Sequence, residues 1–117
     1  MLIPRPTYWY FDLLGGVYGL DKKYYGTDID EEWEVDFDDL VSKIDGRTKL
    51  LVFVNPGNPN CIAYSKETIA KYLEIAEKYN LTILADEIYF DSVFPGTTHT
   101  TIFQMPNYDT VPISKLS

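Results

Sequence analysis

The chain has 117 residues, 45% of them hydrophobic and 24% charged, which suffices for one small domain with a core. A net charge of −8 argues against nucleic-acid and membrane partners, which attract basic surfaces, and no segment is long and apolar enough to span a bilayer. A single cysteine excludes an internal disulfide and leaves a reducing compartment open, so we expect a cytoplasmic location, with a mitochondrial one left open.

The start of the chain predicts a short strand followed by an aromatic-rich segment. Residues 2–4 are apolar and end in proline, as at the end of a strand, and Thr7 can cap a helix that follows. The Gly15-Gly16 pair disfavours an unbroken helix there. We expect most of the aromatic side chains to pack in a core or interface, although one near a strand end could stack on a flat ligand: Tyr8, Trp9, Tyr10, Phe11 and Tyr18.

The next part of the chain predicts a strand, a loop and a helix. Residues 21–25 indicate the strand, and the acidic run 28–34 indicates a solvated loop. Gly46 is expected to end a helix over residues 36–44. The apolar residues of that helix share one face: Phe37, Leu40, Val41 and Ile44.

Two apolar runs, at residues 50–54 and 82–85, indicate strands that are buried on both faces, because they do not alternate with polar residues. Ser65 can cap a helix between them and Asn80 can end it. Apolar residues recur at helical spacing within that helix: Ile69, Tyr72, Leu73, Ala76 and Tyr79. This order predicts a right-handed βαβ unit, and a further strand from Pro112 completes an α/β fold with a mostly parallel sheet.

Polar residues follow both strands of the βαβ unit. In parallel sheets ligands bind outside the carboxyl ends of the strands, where residues 55–60 and 86–89 fall. The prolines of the first segment would hold an asparagine amide in one place. Tyr89 lies three residues after Asp86, so both side chains can lie on one side of a helical turn while Glu87 points elsewhere. The sequence therefore predicts a binding site at this edge of the sheet.

Asp86 has other interpretations than a ligand contact. It could cap a following helix, or it could form a structural ion pair. It could also be the Mg²⁺-binding carboxylate of a phosphate-loop nucleotide hydrolase, but the sequence lacks the Gly-x-x-x-x-Gly-Lys-Ser/Thr loop which that function requires. The Gly-x-Gly-x-x-Gly fingerprint of dinucleotide binding is absent as well. The helix cap and the ion pair stay open.

Two other residues with reactive side chains, His99 and Cys61, are better explained by structural roles than by metal binding or catalysis. His99 lies in the polar segment 97–101 with no second ligand nearby, so we expect a surface loop position and no metal site. Cys61 has no partner motif, so we expect a small buried side chain rather than a nucleophile. One histidine in this position supports no Ser-His-Asp triad.

Three of these segments resemble the class I and II aminotransferases, which are pyridoxal-phosphate (PLP) enzymes of fold type I. Residues 55–59, Asn-Pro-Gly-Asn-Pro, resemble the family's Asn-Pro-x-Asn-Pro motif. Residues 85–89, Ala-Asp-Glu-Ile-Tyr, resemble its Ala-Asp-Glu-x-Tyr motif. Residues 4–8, Pro-Arg-Pro-Thr-Tyr, resemble the loop that brings an aromatic ring over the cofactor. The similarity is strongest to the tyrosine aminotransferase subgroup, through residues 5–7, residues 33–36 and the longer run 83–89.

The resemblance implies roles for four side chains toward PLP. Asp86 would pair with the pyridine nitrogen and keep it protonated. Asn58 and Tyr89 would hydrogen-bond the phenolic oxygen of the ring, and Tyr8 would stack on the ring face. The resemblance also implies amino-group transfer between an amino acid and a 2-oxo acid, with aromatic amino acids as candidates, and a homodimer in the full-length enzyme.

The chain also departs from the family pattern. Asn60-Cys61 stands where the family usually has a small residue followed by glycine, which leaves the conformation of that turn open. The Schiff-base lysine would fall at about position 121, and Lys115 comes too early to be expected as that anchor. The phosphate-binding turn and the substrate-binding arginine are expected outside the chain. We therefore expect residues 1–117 to be the central part of the large, cofactor-binding domain without either flank, and we assign no catalytic residue.

Two alternatives to a full-length transaminase stay open. The chain could be a truncated or degenerate product that binds the cofactor weakly or folds only beside a partner chain, since uncovered apolar sheet faces favour self-association. The same fold also serves PLP lyases and synthases, whose shared motifs serve the common cofactor rather than one reaction.

Overall fold

A six-stranded, mostly parallel sheet organises the computed structural model, which describes residues 1–30, 32–92, 94–96 and 99–116. Its strands are β1 (Leu2–Arg5), β2 (Lys23–Asp28), β3 (Glu34–Val35), β4 (Leu50–Val54), β5 (Thr82–Asp86) and β6 (Ile113–Leu116), in the spatial order β3-β2-β1-β4-β5-β6. The helices are α1 (Tyr10–Val17), α2 (Phe37–Ser42) and α3 (Lys66–Lys78), with short 3₁₀ helices at Ile102–Gln104 and Tyr108–Thr110. Within the described residues, only β2 and β3 pair in antiparallel fashion. The predicted α/β class is therefore confirmed.

The order of the strands reverses beside β1. The chain runs from β1 to β2 on one side and then returns past β1, so that β4, β5 and β6 follow on the other side. Where the connections of two adjacent parallel strands leave in opposite directions, a crevice opens between their carboxyl ends, and α/β proteins bind ligands there. The boundary between β1 and β4 is that switch point in this chain.

Each face of the sheet carries its own core, because successive side chains of a strand point to opposite faces. The smaller core packs α1, through Phe11, against Ile3, Val52 and Val54. The larger core covers the opposite face and includes residues of α2, α3, β4 and β5: Leu40, Ile69, Tyr72, Phe53 and Ile83. Helices on opposite faces are what right-handed connections produce when they leave a switch point in opposite directions.

The helix between β4 and β5 forms where the sequence predicts it. The Ser65 hydroxyl accepts a hydrogen bond from the Thr68 amide, and such a cap contributes about 1 kcal/mol. Asn80 follows the helix with a φ of 52°, the left-handed conformation that ends many helices. Four residues of the predicted apolar stripe are buried, Ile69, Tyr72, Leu73 and Ala76, whereas Tyr79 is the C-cap and is only partly buried. None of the helices in the described ranges has the length and apolar composition to cross a membrane.

The first helix differs from its prediction. Trp9 is the N-cap of α1 and makes no side-chain capping bond, so Thr7 does not cap this helix. Gly15 and Gly16 lie inside α1 and do not interrupt it. A Cβ atom at Gly15 would lie 2.7 Å from Cδ of Lys22, so glycine here lets α1 approach the segment before β2 closely.

The second strand also lies further along the chain than predicted. β2 begins two residues later than the expected range 21–25 and continues to Asp28, because its last two residues pair with β3. The predicted loop 28–34 is therefore reduced to the turn between β2 and β3. Its described residues are mostly exposed, and residue 31 lies outside the described ranges.

The second helix is shorter than the predicted range 36–44. Asp36 caps it by accepting a hydrogen bond from a first-turn amide, as its position allows. Gly46 does not end it, because the Asp45 carboxylate accepts a hydrogen bond of 2.9 Å from the Arg47 amide and forms a separate turn. Such local side-chain bonds compete with continuation of a helix.

Candidate functional site

Three loops leave the same edge of the sheet. Since β1, β4 and β5 are parallel, the segments that follow them meet at their carboxyl edge. Tyr8 lies in the segment after β1, and Asn58 lies in the segment after β4. Asp86 ends β5, and Tyr89 follows it in a turn. The four predicted site residues are thus placed at one edge, on both sides of the switch point.

Asn58 and Tyr89 are in direct contact. The Asn58 side-chain amide donates a hydrogen bond of 3.2 Å to the Tyr89 hydroxyl. Both residues line a cleft of about 800 Å³, whose wall is formed largely by residues 56–65. Tyr89 is 40% exposed, so its hydroxyl proton and the second Asn58 amide proton remain available to an acceptor atom of a ligand.

A tight turn holds Asn58 in place. The Gly57 amide donates to the Ile62 carbonyl at 2.8 Å, and the Cys61 amide donates to the Gly57 carbonyl at 3.0 Å. A Cβ atom at Gly57 would lie 1.9 Å from Oδ1 of Asn60, so a larger residue would displace the Asn60 side chain. The turn is therefore closed by its own backbone and depends on glycine at its start.

Cys61 adopts the conformation for which the family pattern has glycine. Its φ is 58°, in the left-handed region that residues with a Cβ atom rarely adopt. The thiol is exposed, lines the cleft and lies 3.5 Å from the Pro59 carbonyl. The prediction of a small buried side chain is therefore wrong, because Cys61 lines the open cleft instead of packing in a core.

Asp86 is half-buried at the end of β5. Burial raises the pKa of its carboxyl, and a hydrogen bond of 3.2 Å from the Ile88 amide to Oδ1 partly offsets this rise. No helix follows, since residues 88–91 form a turn, so Asp86 is not a helix cap. Among the described residues no cation forms a salt bridge with it, which leaves the structural ion pair without support. A half-buried carboxylate without a cation is a candidate partner for a cationic ligand group.

Asp86 points to the side of the sheet that α1 covers, and Tyr8 lies in the segment that leads into α1. By strand alternation, Asp86 continues the side of Leu84, which packs on the smaller core next to α1, and Tyr8 precedes that helix. Tyr8 is 43% exposed, and its ring contacts the Trp9 ring with 5.5 Å between centroids. Within the part of the chain that the structure describes, neither Tyr8 nor Asp86 hydrogen-bonds to the Asn58–Tyr89 pair.

Asn55 is a buried residue at the site whose role the sequence does not reveal. It is fully buried, and its side-chain amide donates to the Thr100 carbonyl at 3.0 Å. Its Oδ1 accepts a hydrogen bond of 2.8 Å from the Tyr64 amide. An asparagine directly after an apolar strand is the one signal in the sequence, and it does not identify partners so far along the chain.

Glu87 is a second such residue, and it is only 3% exposed. Its carboxylate accepts hydrogen bonds from the Thr101 hydroxyl and from the Ile102 amide, the latter at 2.9 Å. This orientation away from Asp86 agrees with the prediction that Glu87 points elsewhere. A glutamate next to a candidate site residue does not by itself indicate burial, so the sequence gives no signal for these contacts.

His99 is half-buried and is not a plain surface residue. Its ring meets the Phe90 ring at an edge, with 5.0 Å between centroids, and its Nε2 lies 3.4 Å from the Asn55 amide nitrogen. The predicted loop position is found, but His99 is only partly exposed, because the bond from Asn55 to Thr100 holds this segment against β4. Residues 97 and 98 of the predicted polar loop lie outside the described ranges. In the described ranges, no group of three or more His, Cys, Asp or Glu side chains could hold a metal ion.

Lys115 points away from the site. It pairs in register with Ala85, whose side chain belongs to the larger core, and cross-strand neighbours share a face. Its ammonium group lies 5.6 Å from the centroid of the Phe103 ring.

Comparison with known proteins relates this chain to one enzyme family by sequence and by fold. The family model described as aminotransferase class I and II matches residues 1–114. The chain is 36% identical to glutamate-pyruvate aminotransferase AlaA of Haemophilus influenzae, over 100% of this chain and 29% of that protein. It is 42% identical to tyrosine aminotransferase of Mus musculus, over 80% of this chain and 21% of that protein. The PLP-bound C-S lyase from Staphylococcus hominis matches with a TM-score of 0.88 and 27% identity, over 97% of this chain and 30% of that one.

Proposed function

Since this chain belongs to the class I and II aminotransferase family, we propose that residues 1–117 are part of the large, cofactor-binding domain of a PLP-dependent aminotransferase. The proposed reaction is transfer of an amino group from an amino acid to a 2-oxo acid. The chain spans about 29% of the length of the curated relative AlaA, so the activity is proposed for the full-length protein that contains this chain.

The residues at the carboxyl edge fit the functional groups of PLP. Asp86 offers a half-buried carboxylate, and a protonated ring nitrogen beside it would lower the pKa that burial raises. Asn58 and Tyr89 offer two donors, already joined to each other, for a phenolic oxygen. Tyr8 offers an exposed ring in the segment between β1 and α1. We propose these four residues as the cofactor contacts within this chain.

Bound PLP supplies an electron-accepting ring for amino-group transfer. The part of Asp86 is to keep the ring nitrogen protonated through a charge-assisted hydrogen bond. Asn58 and Tyr89 favour the anionic form of the phenolic oxygen by donating to it. Tyr8 would hold the ring through an aromatic contact. Together these four residues would orient the cofactor and stabilise charge on its ring nitrogen and phenolic oxygen.

The observation that carries this proposal is the hydrogen bond between Asn58 and Tyr89. It joins the loop after β4 to the loop after β5, which begins at Asp86. In the full-length protein, Asn58→Ala and Tyr89→Phe should weaken PLP binding and lower turnover, and Asp86→Ala should nearly abolish transamination. Tyr108→Phe is a matched control, since Tyr108 is 43% exposed, and it should leave both unchanged. A wild-type protein that binds no PLP, or a fully active Asp86→Ala variant, would overturn the proposal.

The four proposed contact residues concern the cofactor and do not identify the substrates. We propose aromatic amino acids as the first to test, because residues 33–36 and 83–89 resemble the tyrosine aminotransferase subgroup. The relatives named above act on different amino acids by name, so a panel should include tyrosine, alanine and glutamate, each with pyruvate and 2-oxoglutarate. A preference for alanine or glutamate over tyrosine would overturn the aromatic assignment and leave the transaminase proposal intact.

A lyase is the second candidate, because a C-S lyase shares the fold with a TM-score of 0.88. Release of a thiol from a sulfur-containing amino acid, without a requirement for a 2-oxo acid acceptor, would indicate that reaction. PLP binding without turnover of any substrate would instead indicate a non-catalytic product. The proposal includes a homodimer and a cytoplasmic location for the full-length protein, which light scattering and fractionation of the native source test.

A further inference from the structure

We propose that Asn55 and Glu87 are positioning residues for the Asn58–Tyr89 pair, and that they act through residues 100–102, which we call the strap. The inference rests on the proposed function, because its readout is PLP binding. It goes beyond that function because neither residue is among the proposed cofactor contacts. Their side chains point to the face of the sheet opposite to Asp86.

The pairing of β4 with β5 explains why the two residues lie together. Val54 and Asp86 are partners in register, and the Asn55 amide donates to the Asp86 carbonyl at 2.9 Å. Asn55 and Glu87 are the next residues on the two strands. Because side chains alternate along a strand, both point to the larger core, while Asp86 points to the side of α1. The ladder therefore places Asn55 and Glu87 on the strap side of the sheet and Asp86 on the opposite side.

Both residues hold the strap by buried hydrogen bonds. Asn55 donates to the Thr100 carbonyl at 3.0 Å, and Glu87 accepts from the Thr101 hydroxyl and from the Ile102 amide. Ile102 is fully buried in the larger core, so the strap is itself anchored. The strap is thus a common support for the two loops that carry Asn58 and Tyr89.

The burial of Glu87 points to a role for its two acceptor oxygens. A carboxylate is costly to bury unless hydrogen bonds replace its hydration, and within the described ranges no cation forms a salt bridge with Glu87. Its two oxygens accept from two donors of the strap. Glu87 lies between Asp86 and Tyr89 in the chain, so these bonds fix the turn from which the Tyr89 hydroxyl reaches Asn58.

The geometry predicts energetic coupling between Glu87 and Tyr89. If Glu87 acts by holding the Tyr89 hydroxyl beside Asn58, its loss should matter only while that hydroxyl is present. If Glu87 merely stabilises the fold, its effect on PLP affinity should be the same with or without the hydroxyl. A double-mutant cycle separates these two cases, because independent sites give additive effects.

The experiment measures PLP dissociation constants of the full-length protein by absorbance titration. The cycle consists of wild type, Glu87→Gln, Tyr89→Phe and the double variant. We expect Glu87→Gln to weaken PLP binding about tenfold in the wild-type background and less than about threefold in the Tyr89→Phe background. Glu74→Gln, at an exposed position of α3, is the matched control and should leave the dissociation constant unchanged in both backgrounds.

Thr101→Val removes the hydroxyl that donates to Glu87 and, with it, the acceptor of a hydrogen bond from the Phe103 amide, and it serves for the same cycle if Glu87→Gln does not fold. Equal losses in the two backgrounds, for either variant, would overturn the positioning role while leaving the proposed function intact. A wild-type protein that binds no PLP would overturn the proposed function and this inference with it. Non-additive losses with a silent Glu74→Gln control would support both.

Discussion

The hydroxyl of Tyr25 in β2 lies 2.9 Å from the hydroxyl of Tyr72 in α3, and both side chains are fully buried. Tyr25 also donates a hydrogen bond of 2.8 Å to the Val52 carbonyl in β4, so Tyr72 is the donor within the pair. One polar chain thus joins three elements inside the larger core. Buried hydroxyls of this kind stabilise a fold only while each has a partner.

Removal of the Tyr25 hydroxyl and removal of the Tyr72 hydroxyl should therefore lower the free energy of unfolding by different amounts. Tyr25→Phe leaves the Tyr72 hydroxyl without its acceptor and should lower the free energy of unfolding by about 2 kcal/mol, whereas Tyr72→Phe should cost about 1 kcal/mol. Urea unfolding of the full-length protein measures both. Tyr18→Phe is the control, because Tyr18 is 72% exposed and should give no change. The reverse order of the two losses would contradict the donor assignment.

The same core should make the protein sensitive to alkali. Burial raises the pKa of Tyr25 and of Tyr72 well above the ordinary value, and it raises the pKa of Tyr64 to about 12. A group whose pKa is raised in the folded state contributes stability that is present below the unfolded pKa of about 10 and is lost as pH rises through the folded pKa.

We therefore expect the free energy of unfolding to fall as pH rises above about 10, together with late ionisation of these tyrosines. Urea unfolding over a pH series and the absorbance of tyrosinate measure the two quantities. Tyr25→Phe combined with Tyr72→Phe should reduce the slope of stability against pH. An unchanged slope in that double variant would show that other groups cause the loss.

Asp86 should lower the stability of the cofactor-free protein at neutral pH. Its pKa is raised by burial, so its contribution is most favourable below the unfolded pKa of about 4 and is lost as pH rises through the folded pKa. Asp86→Asn keeps an acceptor for the Ile88 amide and removes the charge. It should therefore stabilise the cofactor-free protein at pH 7, by less than about 1 kcal/mol because the carboxyl is only half-buried.

Thermal unfolding of the cofactor-free wild type and Asp86→Asn at pH 7 and at pH 4 tests this. The stability gain of Asp86→Asn over wild type should be smaller at pH 4 than at pH 7. Asp91→Asn, at an exposed position, should show no stability gain at either pH. In a PLP titration, Asp86→Asn should bind the cofactor more weakly than wild type despite its higher stability. A less stable Asp86→Asn variant at pH 7 would contradict the prediction.

Cys61 should tolerate glycine better than a β-branched residue. At a φ of 58° a β-branched side chain is strained, so Cys61→Val should lower the free energy of unfolding by about 1–2 kcal/mol. Cys61→Gly should be neutral or slightly stabilising, and Cys61→Ser is the control of similar size without branching. Urea unfolding ranks the three variants. Equal stability of the valine and serine variants would mean that the turn relaxes to another conformation.

Elements that depend on local patterns could be predicted from the sequence. β4 and β5 are found within one residue of their predicted bounds, and α3 begins after Ser65 as predicted, because apolar periodicity and caps are properties of neighbouring residues. The position of Asn58 and Asp86 at one edge follows from parallel pairing alone. These inferences needed no knowledge of distant contacts.

Features that depend on distant residues could not be predicted in this way. The Lys22 side chain lies so close to Gly15 that a Cβ atom there would contact it, which explains a glycine inside α1. Only the packed structure reveals this contact. Asn55 and Glu87 each have partners in the strap, far along the chain, and His99 is drawn inward by the same segment. A pattern of neighbouring residues carries no information on which loops a buried acid or amide will join.

The reversal of strand order also separates the proposed site residues into two groups, one on the β4–β5 ladder and one beside β1. β4 and β5 pair from Leu50↔Thr82 to Val54↔Asp86, whereas β1 meets β4 at Leu2↔Leu51. In the proposed site, Asn58, Asp86 and Tyr89 thus belong to one continuous ladder and the loops that follow it, whereas Tyr8 lies across the boundary in the segment before α1. Under that proposal, a substitution at Tyr8 leaves unchanged the backbone pairing that places the other three residues.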